Sequence, residues 1–189
     1  MRDQLVEEFL ERLSARVSAP GGGATAALHA AQSAALLGMV ARYSDGPKHA
    51  GDAAAISAVL SEVDALRVDA LQLAEDDAAA FTAVTDAYKL PKGPERSAAI
   101  AEALAGAAVP PLRTIAVAER LVDLAEVLLP LGNRNVITDV AAAADAARAA
   151  ATTARVNVEV NGAVLESDVD ALALRADRIT ARVREEIAK

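Results

Sequence analysis

The sequence predicts an all-α fold, a single-domain bundle of long antiparallel helices spanning residues 1–189, and three observations carry that expectation. Apolar residues recur at helical spacing through the long segments, in stripes such as Leu5, Phe9 and Leu13 or Ile56, Val59, Leu60 and Val63. The composition is 53% hydrophobic but only 2% aromatic. Alanine therefore supplies much of the apolar content, and the interior must form by close helix–helix approach rather than by large side chains. Glycine and proline fall between the periodic segments, and no sustained strand alternation interrupts them.

The first segment places Leu5, Val6, Phe9, Leu10, Leu13 and Val17 on one face with Glu7, Glu8, Glu11 and Arg12 between them, an amphipathic helix that ends before Pro20-Gly21-Gly22-Gly23. A second helix is predicted over 24–44, stopped by Ser44-Asp45-Gly46-Pro47. Its length and apolarity approach those of a membrane span, but Thr25, His29, Gln32 and Ser33 interrupt it, so it reads as a buried bundle helix. A long third helix follows over 52–88, with a stripe that includes Ile56, Val63, Leu66, Leu73, Phe81, Val84 and Tyr88. Lys89-Leu90-Pro91-Lys92-Gly93-Pro94 is a rigid basic connector into a helix over 95–109. Pro110-Pro111 breaks that helix, and the next takes Leu112, Ile115, Ala116, Leu121, Leu124, Val127 and Leu128 inwards before Pro130. Leu131-Gly132-Asn133-Arg134-Asn135 forms a second glycine-containing loop, and Thr138-Asp139 starts a helix over 140–156. The alternation of Asn157-Val158-Glu159-Val160-Asn161-Gly162 reads as an extended connector, and an amphipathic helix over 167–187 closes the chain.

Two positions stand out. Three consecutive glycines after Pro20 give backbone freedom and close approach, and a helix start behind them offers N–H groups suited to a carboxylate or phosphate; a plain connector between close-packed helices explains the same residues. Neither a Walker loop nor a dinucleotide fingerprint is present. Asp77 lies on the apolar stripe of the third helix, four residues after Leu73 and four before Phe81. It is either half-buried beside a basic partner or placed for chemistry, and the residues alone favour the first, because buried acids pair with lysine or arginine.

Composition narrows the partners. A net charge of -8 with so few aromatics argues against nucleic acid and against a membrane surface. With no cysteine and with His29 and His49 isolated, neither thiol chemistry nor a metal site is expected. The charged start, Met1-Arg2-Asp3, does not resemble a signal peptide, so a cytoplasmic protein is expected. Broad alanine-rich faces favour a homodimer or larger even oligomer.

Taken in order, Phe9 with Leu13, Pro20-Gly21-Gly22-Gly23, Met39-Val40, Asp77 with Phe81, Leu90-Pro91-Lys92, Arg96, Pro111-Leu112, Gly132-Asn133, Thr138-Asp139-Val140 and Asn157-Val158 with Asn161 resemble the formimidoyltetrahydrofolate cyclodeaminase and methenyltetrahydrofolate cyclohydrolase family. The likeness spans nearly the whole chain. It departs where Glu75 and Asp76 supply the acids beside Asp77 and where Lys48-His49 replaces a longer basic run. The resemblance implies an all-helical dimer acting in folate one-carbon metabolism without metal or redox cofactor. It implies an enzyme that cyclises 5-formimidoyltetrahydrofolate with loss of ammonia, or that hydrolyses 5,10-methenyltetrahydrofolate; a non-catalytic folate-binding or scaffold dimer is the competing class. It also turns Asp77 into the candidate general acid–base. Gly21, Gly22 and Gly23 become a carboxylate cradle, and Lys92, Arg96 and Arg134 cations for the folate tail. Asn133, Asp139, Asn157 and Asn161 become contacts to the pterin or the intermediate.

Overall fold

The computed structural model describes residues 4–189, so Met1, Arg2 and Asp3 lie outside the described residues. Seven α-helices are present among them: α1 (Val6–Ser14), α2 (Gly22–Arg42), α3 (Ala53–Lys89), α4 (Pro94–Ala107), α5 (Val109–Leu131), α6 (Ile137–Val160) and α7 (Val169–Ile187). Short 3-10 turns at Pro47–His49 and Arg134–Val136 complete the regular structure. Helix α2 is the central rod, packed by α3, α5 and α6, while α7 closes the outer side of α5 and α6.

Small side chains set this packing. Ala26, Ala27, Ala30, Leu37 and Val40 of α2 are fully buried, as are Ala143, Ala144, Ala147, Ala150, Ala151 and Ala154 of α6. Alanine brings no side-chain entropy loss and lets helix axes approach closely, so many small contacts replace a few large ones. The apolarity that gives α2 the length and hydropathy of a membrane span is thus consumed inside the bundle, where most of its surface is covered by neighbours. At the periphery Arg120 forks onto Glu62 of α3, and Arg175 of α7 reaches Asp123 and Glu126 of α5.

Several boundaries differ from expectation. Helix α4 ends just before Pro110 and Pro111, as expected, but the two prolines lie inside the first turn of α5, which begins at Val109, where a missing N–H and a fixed φ are both tolerated. Ala116 and Val127 are exposed. Residues 157–160 are the last turn of α6 and not an extended connector: the alternating valines imitate a strand, but the helix runs on until Gly162. That glycine has φ +71°, and the N–H groups of Gly162 and Ala163 return to Glu159 and Val158, a helix-ending motif that needs a left-handed residue.

Helix α3 has 37 residues and α2 has 21, about 55 Å against about 31 Å at 1.5 Å per residue. Its C-terminal part therefore outruns the bundle and pairs with α4 as an antiparallel arm. Only Ala107 of α4 is buried. For the same reason Phe81 and Tyr88, expected in the core stripe, are 47% and 51% exposed. Helix α1 has no buried residue; Phe9 and Leu13 rest half-buried over Leu28 and Leu71.

Candidate active site

The N-terminus of α2, the base of the arm and the end of α6 meet at one cleft of about 240 Å³. Its walls include Gly21, Gly22, Gly23, Asp77, Phe81, Ala107, Asn157, Val160 and Asn161. Each wall has a local cause. The peptide bond before Pro20 is cis, and Gly21 sits extended at the N-cap of α2. The helical ladder opens with Thr25 N–H bonded to Gly21 O at 3.1 Å, so the N–H groups of Gly22, Gly23 and Ala24 fall outside it. Ala24 N–H donates to the Asp77 carboxylate. An acid on α3 thus caps a neighbouring helix.

None of the three glycines adopts a left-handed φ, which among the described residues Gly162 alone does. Their backbone freedom is not the reason for them. At Gly23 the reason is space: a Cβ there would land on the Asp77 carboxylate, whereas at Gly22 the nearest atom, Asn157 Nδ2, would be 3.9 Å away. Gly23 lets α2 come close enough for the acid to reach the helix start.

Asp77 is half-buried, and burial pushes its carboxyl above the ordinary value of 3.8; the Ala24 N–H favours the charged form and offsets only part of this. Among the described residues it forms no ion pair, so the basic partner that the residues alone favoured is replaced by the Ala24 N–H. Asn157 and Asn161 stand one turn apart on α6. Asn157 Nδ2 donates to Thr153 O at 2.9 Å, and Asn161 Nδ2 donates to Ala107 O at 3.0 Å, fixing the end of α4 against the cleft. The arrangement offers a carboxyl that holds its proton to higher pH than usual, N–H donors backed by a helix dipole, and two amides in an otherwise apolar pocket.

The other sequence candidates lie elsewhere. Lys92 and Arg96 are at the tip of the arm, with Arg96 stacked 5.7 Å from the Tyr88 ring centre. Asn133, Arg134 and Asp139 are at the opposite end of α2 and α6 from the cleft. There Asn133 Nδ2 donates to Tyr43 O at 2.9 Å, Arg134 pairs with Glu186 at 3.4 Å, and Asp139 sits in the first turn of α6. Sequence reasoning missed Phe81, Ala107 and Val160 as cleft residues. The spacing of Phe81 one turn after Asp77, and the Asn161-Gly162 helix stop, were the available signals.

Comparison with known proteins places the chain in a family. The formiminotransferase-cyclodeaminase family profile matches residues 5–178. A methenyltetrahydrofolate cyclohydrolase of Methylorubrum extorquens is 37% identical over 87% of this chain and 82% of its own length. The formimidoyltransferase-cyclodeaminase of Mus musculus is 31% identical over 88% of this chain, which spans 32% of that larger protein. The crystal structure of a formiminotetrahydrofolate cyclodeaminase from Thermotoga maritima superposes with a TM-score of 0.83 at 25% identity, covering 97% of this chain and 96% of that one.

Proposed function

Since the chain belongs to the formiminotransferase-cyclodeaminase family, we propose that it is an enzyme of folate one-carbon metabolism whose chemistry takes place at Asp77. The observation that carries this reading is the half-buried Asp77 carboxyl, raised above its ordinary range and held at the N-terminus of α2. In deamination, N10 of 5-formimidoyltetrahydrofolate attacks the formimino carbon, the tetrahedral adduct takes up a proton on its nitrogen, and ammonia leaves to give the methenyl bridge. In hydrolysis, water adds to the methenyl carbon, gives up a proton, and the bond from that carbon to N5 breaks. Both reactions need one group that delivers and accepts a proton beside a carbon flanked by two nitrogens. Asp77, whose burial favours the protonated carboxyl, is the group in the cleft that suits that task. The N–H groups of Gly22 and Gly23 and the amides of Asn157 and Asn161 orient the polar edge of the pterin.

Both reactions add and eliminate without changing oxidation state, so the mechanism calls for no redox cofactor and assigns no metal. We take the working form to be a homodimer in the cytoplasm, as the sequence reading expects.

Deamination follows from the likeness to the cyclodeaminases. Hydrolysis is the second reading, and a specific observation favours it: the cyclohydrolase relative matches over most of its own length. Side-by-side assays with 5-formimidoyl- and 5,10-methenyltetrahydrofolate test both, with ammonia release and loss of methenyl absorbance as readouts. One of them should exceed the buffer rate by orders of magnitude; neither doing so would contradict the enzymatic reading.

A further inference from the structure

The side chains of the cleft do not match an anion. Its walls hold one acid, Asp77, one phenyl ring, Phe81, and two amides, Asn157 and Asn161, and none carries a positive side chain. The Nδ2 groups of both amides are engaged, Asn157 with Thr153 O and Asn161 with Ala107 O, so what each amide has left for a ligand is its oxygen. The N-terminus of α2 would by itself draw an anion, but the Asp77 carboxylate already caps it through Ala24 N–H. An acid, a ring and two acceptor oxygens remain, a set that suits a delocalised positive charge.

Phe81 follows Asp77 by one turn of α3, about 6 Å along the axis, the spacing at which side chains on a helix are neighbours. It is 47% exposed and belongs to neither buried core cluster, so its ring stays open to a ligand in the cleft. At about 240 Å³ the cleft takes the reacting end of a folate and not the whole molecule. In both proposed substrates that end is a cation. The amidine of the 5-formimidoyl group is protonated at neutral pH, and the 5,10-methenyl bridge shares one positive charge between the two nitrogens that flank its carbon. The 5-formyl group has the shape of the 5-formimidoyl group, with oxygen in place of the charged nitrogen, and is neutral. A cation beside the half-buried Asp77 carboxyl favours the ionised form and offsets part of the effect of burial.

We propose that the cleft selects its one-carbon unit by charge, with the Phe81 ring against the amidinium and the Asp77 carboxylate beside it, and that Phe81 sets the preference for cationic over neutral one-carbon units. The inference rests on the folate reading above and adds to it the charge state that is bound and a specificity-determining role for Phe81.

The test is binding of 5-formimidoyltetrahydrofolate and 5-formyltetrahydrofolate to the full chain, measured by rapid mixing ahead of turnover. The proteins are wild type, Phe81→Leu, and two forms carrying 4-fluoro- or 3,4,5-trifluorophenylalanine at position 81. Wild type should bind the formimidoyl compound about tenfold more tightly than the formyl compound, the scale of one cation–ring contact shielded from water. Phe81→Leu keeps an apolar side chain and should remove most of that preference by weakening the cation alone. Fluorination keeps the shape of the ring while withdrawing its electron density, so it should lower affinity for the cation in steps and leave the formyl compound unchanged. If wild type binds both compounds equally, if Phe81→Leu weakens both equally, or if the preference survives fluorination, charge selection by Phe81 is overturned while the folate reading stands. A wild-type protein that binds neither compound overturns the folate reading and this inference with it.

Discussion

The two ends of α2 are built from the same kinds of residue and have opposite characters. At each end a glycine lets helices meet closely and asparagines line the junction. At the Tyr43 end the polar groups are used up within the protein. Ser44 Oγ donates to Val40 O at 2.7 Å and accepts from Asn133 N–H at 2.8 Å, Asn133 Oδ1 accepts from Asn135 N–H at 3.0 Å, and His49 bonds Leu131 O at 3.0 Å. At the Gly22 end, Asp77, two helix-start N–H groups and the Asn157 amide face a cleft. A glycine- and asparagine-rich junction is therefore a structural clasp where its hydrogen bonds close on themselves and a candidate site where they do not.

The first way to break this comparison is to move the carboxylate without removing it. Gly23→Ala places a methyl group on the Asp77 carboxylate, which must swing away from Ala24. Turnover is expected to fall by roughly 10²-fold, the scale of a misplacement near 1 Å, with little loss of helix content or denaturant midpoint. Gly46→Ala, which has room for its methyl group and lies outside the cleft, should stay near wild-type activity and serves as the control.

At the other end the expectation reverses. Asn133→Ala removes a donor to Tyr43 O and an acceptor for Asn135 N–H, and should cost about 1–3 kcal/mol of stability by denaturant unfolding with turnover per folded molecule kept. A loss of turnover there without loss of stability would erase the distinction between the two ends.

How much of this was legible in the sequence depends on whether the information is local. The helices, their stops and Asp77 on an apolar stripe follow from periodicity within one segment. That Asp77 would cap α2 instead of pairing with a lysine or arginine does not, because the choice of partner is tertiary. Phe81 and Tyr88 continue the stripe faithfully, yet their exposure depends on where α2 ends, which nothing in α3 records. Residues 157–160 were misread because valine alternation favours a strand locally, while packing of α6 against α2 and α5 extends the helix. The three glycines line the cleft, and the physical reason the structure gives is close approach at Gly23 and not unusual φ.

The smallest effect sharpens the comparison through pH. Because Asp77 has a raised pKa in the folded state, the native protein binds its proton more tightly than the unfolded chain does. Its contribution to stability is then fully present below the unfolded value near 3.8 and is lost as pH rises through the folded value. The denaturant midpoint of Asp77→Asn should equal or slightly exceed that of wild type near neutral pH, and the difference should move in favour of wild type as pH falls to about 4. Midpoints of the two proteins across that range, taken in one buffer series, measure it.

The account stands most directly on turnover number beside denaturant midpoint for wild type and Asp77→Asn at neutral pH. Asparagine keeps the size of the side chain and an acceptor for Ala24 N–H but cannot exchange the proton. Turnover is predicted to fall roughly 10²–10⁴-fold with the midpoint undiminished. A variant that is less stable yet nearly fully active per folded molecule would contradict the account and return Asp77 to a structural role.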